Sequence, residues 1–512
     1  MNRLLLSAAH KSSGKTTLSI GLCAAYARRG QIVQSFKKGP DYIDPMWLSL
    51  ASGRACHNLD FFLMPNQEIL DTTMERTRGA TLCLIEGNKG LYDGLDLDGS
   101  NSNAALAKLL RAPVILVIDA RGMTRGVAPL LLGYQAFDRD VNIAGVILNQ
   151  LGGRRHEKKL RAVIEHYTTI PVLGAVQQDE RLAIVERHLG LMPSNEAPLA
   201  TKKINAIADA VEQQVDLDTL LALAATAPPL PAVEKNQGGQ ASPASGRGDS
   251  DEPQKEPSPR PLPLRGRGDL DNIEGTHSQA SPASGRGDSD SISIKIGIAQ
   301  DAAFGFYYPG DLESLETHGA TLVRFNTLED KQLPDVDALL IGGGFPETHM
   351  QALEANVELR HAIRKAIDSG MPAYAECGGL MYLSRSLSWN GKRHEMVGVI
   401  PGDIVMHERP QGRGYVILRE TSTSLWPGSR NASGHELRAH EFHYSSLQNL
   451  PQNMRYAYEV ARGTGVDGKH DGIVINNLLA TYTHMRDVGD NHWTRRFVAF
   501  IRGALSASRA RP

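Results

Sequence analysis

Ala9-His10-Lys11-Ser12-Ser13-Gly14-Lys15-Thr16-Thr17 follows an apolar run, Arg3–Ser7, and opens a helical pattern, Thr16–Arg29. A strand therefore leads through a tight polar loop into a helix. Apart from Ala9 in place of the first glycine, the loop has the G-x-x-x-x-G-K-[ST] spacing of a phosphate-binding loop. That chemistry needs a backbone curled tightly enough for successive N–H groups and the helix N-terminus to face phosphate. Ser12, Ser13, Gly14, Lys15, Thr16 and Thr17 are the expected binders of ATP, with Lys15 on the β- and γ-phosphates and the Thr16 hydroxyl on Mg²⁺. The plainer reading is a turn in which Ser12 or Ser13 caps an ordinary helix. The strand on one side and the amphipathic helix on the other favour the nucleotide.

Working outward, Ile32–Phe36, Thr81–Glu86, Pro113–Asp119 and Ile143–Leu148 are further apolar runs of strand length, separated by helical patterns such as Asn103–Leu110. After residue 291 the scheme resumes with Ile294–Ile298, Thr321–Arg324, Ala338–Ile341 and Ala373–Ala375. Strands alternating with helices predict parallel sheets covered on both faces, hence α/β domains. Ligands bind such sheets beyond the carboxyl ends of the strands. Two strand ends carry acids there: Lys37-Lys38-Gly39-Pro40-Asp41-Tyr42-Ile43-Asp44 and Glu86-Gly87-Asn88-Lys89-Gly90-Leu91-Tyr92-Asp93. Asp41 and Glu86, with Thr16, are the expected Mg²⁺ ligands, and Asp44 and Asp93 the expected substrate contacts.

Between the two halves, residues 228–291 contain no aromatic residue but 10 of the 27 prolines, and the sequence QASPASGRGDSD occurs at both 240–251 and 279–290. Such a stretch buries too little apolar surface to offset its ordering entropy and reads as a disordered linker. Its three Arg-Gly-Asp triplets read as by-products of the repetition. The expected domains are 1–227 and 292–505.

Composition excludes several classes. The 512 residues carry 55 basic and 57 acidic side chains, so no global charge attracts nucleic acid or an anionic membrane. No run of 18 apolar residues exists to span a bilayer, and the short apolar start is no signal peptide. Four cysteines, Cys23, Cys56, Cys83 and Cys377, form neither a disulfide framework nor a metal-ligand spacing, which fits a reducing cytoplasm.

One of the four has a special setting. Ala373-Tyr374-Ala375-Glu376-Cys377-Gly378-Gly379-Leu380 is an apolar strand that stops at a cysteine followed by two glycines. That is the pattern of a nucleophile elbow, where small neighbours permit a strained turn and a helix start favours the thiolate. Gly342-Gly343-Gly344-Phe345-Pro346-Glu347 follows another strand, so Gly343 and Gly344, with Gly378, are candidates to bind an oxyanion. For the base, spacing alone leaves His440, His443 and His484 open.

FKKGPDYIDP (36–45), IEGNKGLYDG (85–94), GGGFPETH (342–349), AECGGLMYLS (375–384), HEFHYS (440–445) and LATYTHM (479–485) together resemble the cobyrinate a,c-diamide synthase family. The resemblance implies two doubly wound, mainly parallel-sheet domains, P-loop NTPase-like and then class I glutamine amidotransferase-like. It implies Cys377 as glutaminase nucleophile and His484 as its base. It also implies ATP- and glutamine-dependent amidation of the a- and c-acetate carboxylates of cobyrinic acid, in cobalamin biosynthesis, through an acyl phosphate. L-glutamine and a tetrapyrrole polycarboxylate are then the partners, with a homodimer as the candidate assembly. The chain departs from the family at Met485-Arg486, where a Leu-His pair is usual, and in having the insert at 228–291. Arg486 also stands where the wider class has a glutamate, so the partner of His484 is open, with Asp487 nearby. Hydrogenobyrinate or a sirohydrochlorin- or sirohaem-type ring is the alternative substrate. A P-loop ATPase of the partitioning type with an inert second domain is the alternative of a different class.

Overall fold

The computed structural model describes residues 1–184, 186–187, 190–194, 199–231, 293–427 and 436–509. Residues 1–231 and 293–512 form one compact unit. Of the expected linker, 228–231 lie along the first half: Arg3 donates to the Pro228 carbonyl and Arg111 to that of Pro229. The rest of it lies outside the described residues.

The first half is a seven-stranded parallel sheet made of β1 (Arg3–Ala8), β2 (Val33–Lys38), β3 (His57–Leu59), β4 (Leu82–Glu86), β5 (Val114–Asp119), β6 (Ile143–Leu151) and β7 (Val172–Gln177). Their order is β3-β2-β4-β1-β5-β6-β7. Every residue of β1 and β5 is buried, as strands sandwiched between two helical layers must be. Apolar clusters fill both faces: Leu4, Leu6, Leu18, Trp47 and Ile207 on one, Leu5, Phe36, Leu106, Leu116 and Leu160 on the other. From β1 the chain runs to β2 and β3 on one side, returns to β4 beside β1, and crosses to β5, β6 and β7 on the other. The end of β1 therefore lies near the switch point where such sheets bind ligands. From it springs helix α1 (Lys15–Arg28). From β2 springs α2 (Ile43–Ser52), stopped by Gly53 in the left-handed conformation.

The second half centres on a nine-stranded sheet. Ala320–Phe325, Ile294–Ala299, Ala338–Ile341, Ala373–Glu376 and Leu478–Thr481 lie side by side and parallel. The sheet continues antiparallel through His470–Ile475, Arg455–Arg462, Gly412–Glu420 and Glu436–His443. The reversal comes at a two-residue turn, Asn476-Asn477, where Asn476 takes φ +50°. The three parallel strands at the middle end at Ile341, Glu376 and Thr481, so the loops that follow them start side by side.

Candidate active site

Gly14 precedes α1 with φ 84° and ψ 22°, and no side chain caps the helix. Its first amides are therefore left for an anion. A β-carbon on Gly14 would lie 2.1 Å from Asn149 Nδ2, and that amide donates to the Ser13 carbonyl at 2.9 Å. The end of β6 thus clamps the loop. Ser12 also takes a positive φ, 63°, and the Ser13 hydroxyl donates to the His10 carbonyl at 2.8 Å. Ala9, in the place of the usual glycine, is held by its backbone: its N–H donates to Val117 and its carbonyl accepts from the Tyr134 hydroxyl. Lys15 is buried, and burial together with the nearby Lys37 pushes its ammonium down to about 8. Thr17 lines a separate cavity of about 160 Å³ with Asn149, Gln150 and Gln178.

Thr16 finds its acids. Its hydroxyl lies 2.7 Å from Glu86 Oε1 and 3.2 Å from Asp44 Oδ2. Lys37 Nζ bridges the same two carboxylates, and they outweigh burial to hold its ammonium well above the ordinary lysine range. Asp44, expected at the substrate, is thus the second carboxylate beside Thr16. Asp41 Oδ1 instead accepts the Ile43 and Asp44 amides at 2.9 and 3.1 Å and so starts α2. Burial, then repulsion from Asp44, pushes its carboxyl up to about 7. Asp93 accepts the Gly90 amide at 2.8 Å and lies within electrostatic reach of Lys15.

Cys377 takes φ 46° and ψ −99°, a strained conformation for a residue with a side chain. Its neighbours explain why it can. A β-carbon on Gly379 would lie 2.0 Å from the Ile341 carbonyl oxygen, and one on Gly378 would lie 2.9 Å from the Gly344 nitrogen. One on Gly343 would lie 2.7 Å from His484 Cε1. All three glycines expected to bind an oxyanion therefore gather around the thiol and its histidine.

The three histidines separate on contact. His443 stacks on Tyr482 at 4.0 Å, and its Nδ1 bonds the Ser445 carbonyl. His440 stacks on His484 at 5.1 Å, and burial, then the charge of His484, holds it neutral. Of the three, His484 is the one whose imidazole is raised by Cys377. Burial alone would lower its imidazole, but Cys377 and Glu376 outweigh this and hold it at about 10. Glu376 supplies the partner that was open: its Oε2 lies 3.4 Å from His484 Nδ1, an ion-pair contact rather than an aligned hydrogen bond. Its Oε1 is fixed by the Tyr374 hydroxyl and the Met485 amide. Asp487 is engaged elsewhere, accepting from the Ser314 hydroxyl at 2.6 Å.

A cavity of about 260 Å³ lies between the Cys377–His484 pair and the loops that follow β2 and β4. Lys38, Asp41, Tyr42 and Asn88 line it from the first half, and Gly344, Cys377, His440 and His484 from the second. Arg486 ties the halves together beside it. It donates to the Asn58 carbonyl and lies over the Tyr308 ring at 5.1 Å, while the Asn58 amide holds the Gly39 and Asp41 carbonyls at 2.7 Å each. Lys37, Asn149, Glu376 and Tyr42 were not singled out by the motifs. Only Glu376 carried a local signal, as an acid buried beside a cysteine.

Residues 7–191 match the family model of the CobQ/CobB/MinD/ParA nucleotide binding domain, and residues 295–491 that of the CobB/CobQ-like glutamine amidotransferase domain. The chain is similar to a cobyrinate a,c-diamide synthase of Magnetococcus marinus, 44% identical over 98% of this chain and 97% of that protein. Proteins of the same name from Methanosarcina acetivorans and Archaeoglobus fulgidus are each 38% identical, over 99% and 97% of this chain and 97% and 96% of their own.

Proposed function

The chain belongs to the cobyrinate a,c-diamide synthase family, and on that premise we propose that it uses ATP and glutamine to convert the a- and c-acetate carboxylates of cobyrinic acid to amides. The observation that carries this reading is the shared cavity. A thiol–histidine pair suited to releasing ammonia opens into the same space as the loop that follows the phosphate site.

In the second half, Cys377 Sγ attacks the side-chain amide carbon of glutamine while its proton resides on His484. The backbone amides of Gly344 and Gly378, with Gly343 alongside, receive the developing oxyanion. His484 passes its proton to the departing nitrogen, and ammonia leaves behind a γ-glutamyl thioester. His484 then draws a proton from the water that hydrolyses the thioester. In the first half, a carboxylate oxygen of the substrate attacks the γ-phosphorus of ATP and ADP leaves. Ammonia attacks the resulting acyl phosphate, and inorganic phosphate departs as the amide forms.

Ser12, Ser13, Gly14 and Lys15 are placed to hold the polyphosphate. The cavity beside Thr17, edged by the amides of Asn149, Gln150 and Gln178, suits the base. Asp93, near Lys15, and Lys38, on the shared cavity, face the region where a polycarboxylate would sit. The residues around Thr16 fit Mg²⁺: two carboxylates converge on its hydroxyl, and Glu86 Oε2 is buried without a hydrogen-bond partner among the described residues. Thr16, Glu86 and Asp44 would hold the ion, with Asp41 behind them. When bound, Mg²⁺ neutralises phosphate charge. Dependence on ATP and on a reduced thiol favours the cytoplasm as its compartment.

Cys377→Ser tests the assignment. It should abolish glutamine-dependent amidation while amidation fed by ammonium salt continues. Undiminished use of glutamine by the variant would refute the nucleophile.

A further inference from the structure

Tyr42 belongs to the first half by chain and to the second by contact. Its ring stacks on Phe306 at 5.4 Å, almost parallel at 7°, and lies 4.3 Å from Tyr308, 5.7 Å from His440 and 5.2 Å from His484. Phe306 in turn pairs with Gly343. One aromatic ring from the first half thus touches both the histidine of the glutaminase pair and the strand behind its oxyanion glycines. In the other direction, Tyr42 is the residue just before α2, and Asp44, in the first turn of that helix, sits on Thr16 and Lys37. One helical turn therefore separates the phosphate site from the face of His484.

That turn is tied at both ends. The Asp41 carboxylate caps its amides, and the Asn58 side chain, under Arg486, holds the Asp41 carbonyl. A metal-bound polyphosphate at Lys15 and Thr16 must compete with Lys37 and Thr16 for the Asp44 carboxylate. Asp44 stands two residues after Tyr42 in the same turn, so an exchange of its partners acts directly on the segment that carries Tyr42. Reaction rates respond steeply to motion there, since a misplacement of about 1 Å can cost roughly 10²-fold.

We propose that Tyr42 is a positioning residue for His484, through which loading of the phosphate site sets the rate of glutamine cleavage. The inference rests on the two-site reading above. It goes further in assigning the coupling to one side chain. Idle glutaminase turnover would waste glutamine, and a ring held by the nucleotide half against the base of the other half suppresses it until the acceptor is activated.

The test is glutamate release by the full chain, measured with and without MgATP plus cobyrinic acid. Loading should raise the wild-type rate on the order of tenfold, a usual size for coupling between sites. In Tyr42→Ala the loaded and unloaded rates should converge, through kcat more than through KM for glutamine. Tyr42→Phe should keep the wild-type ratio, since the ring and not the hydroxyl makes the contacts. A thermal unfolding midpoint like that of the wild type would show that Tyr42→Ala is folded. Should that variant fail to fold, Tyr42→Leu replaces it in the same comparison. A wild-type ratio retained by the alanine or leucine variant, or a wild-type rate indifferent to loading, overturns the proposal. Absence of glutamate release by the wild type under every condition instead defeats the two-site reading on which it rests.

Discussion

At the scale of single residues, Glu376 illustrates what a chain of letters conceals. Downstream of His484, where an orienting acid would be expected, stand Arg486 and Asp487. The structure supplies the acid from the residue immediately before the nucleophile, on the adjacent parallel strand. Cys377, by contrast, was legible, because an apolar strand that ends in Cys-Gly-Gly has few other uses. Glu376→Gln removes a negative charge that helps hold the His484 proton. A neighbouring carboxylate favours the charged imidazole, so its loss lowers the imidazole from about 10 toward the ordinary value. The imidazolium then loses its proton at lower pH. The alkaline limb of the kcat/KM profile for glutamine hydrolysis should move to lower pH, with a loss of roughly 10–10² in rate at neutrality. An unmoved limb would show that Glu376 does not act on His484.

At the scale of elements, the strands legible in the sequence are those with continuous apolar runs, because a parallel strand buried on both faces can hardly be built otherwise. The strand β3 escapes this reading: His57-Asn58-Leu59 is too short to show a pattern and is fixed by pairing with Phe36–Lys38. So does Arg455–Arg462, which alternates charged residues with the buried pair Ala457-Tyr458 and takes its place from Gly412–Glu420 and His470–Ile475. The turns, in contrast, announce themselves through glycine where backbones come into contact. Gly379→Ala would drive a β-carbon to 2.0 Å from the Ile341 carbonyl, so the elbow must separate from its neighbouring strand. Urea unfolding should report a loss of about 3 kcal/mol, accompanied by loss of glutaminase activity. A fully stable, active Gly379→Ala would contradict the geometry of the elbow.

At the scale of the molecule, two sites read separately from the sequence become one arrangement. Tyr415 donates to Asp60 at 2.7 Å and stacks on Phe62 at 4.4 Å, Arg438 lies over the Phe62 ring, and the Gly489 amide donates to Glu68 at 2.8 Å. These contacts join residues several hundred positions apart, a distance over which no local pattern can operate. They turn the ends of both sheets toward the cavity that Cys377 and Asp41 share. The near balance of 55 basic and 57 acidic residues supplies no global attraction for a polyanion. On the proposed reading, recognition of a polycarboxylate falls instead to local cations such as Lys38, which is buried and lines this cavity. The central claim is that nitrogen taken from glutamine at Cys377 becomes the amide made at the ATP site. It is tested most directly by incubating the protein with MgATP, cobyrinic acid and glutamine carrying heavy nitrogen in its side-chain amide, and reading the product by high-resolution mass spectrometry. The account predicts heavy nitrogen in both new amides, formed only when ATP is present. An unchanged substrate, or a product that draws its nitrogen from unlabelled ammonium while labelled glutamine is left intact, would contradict it.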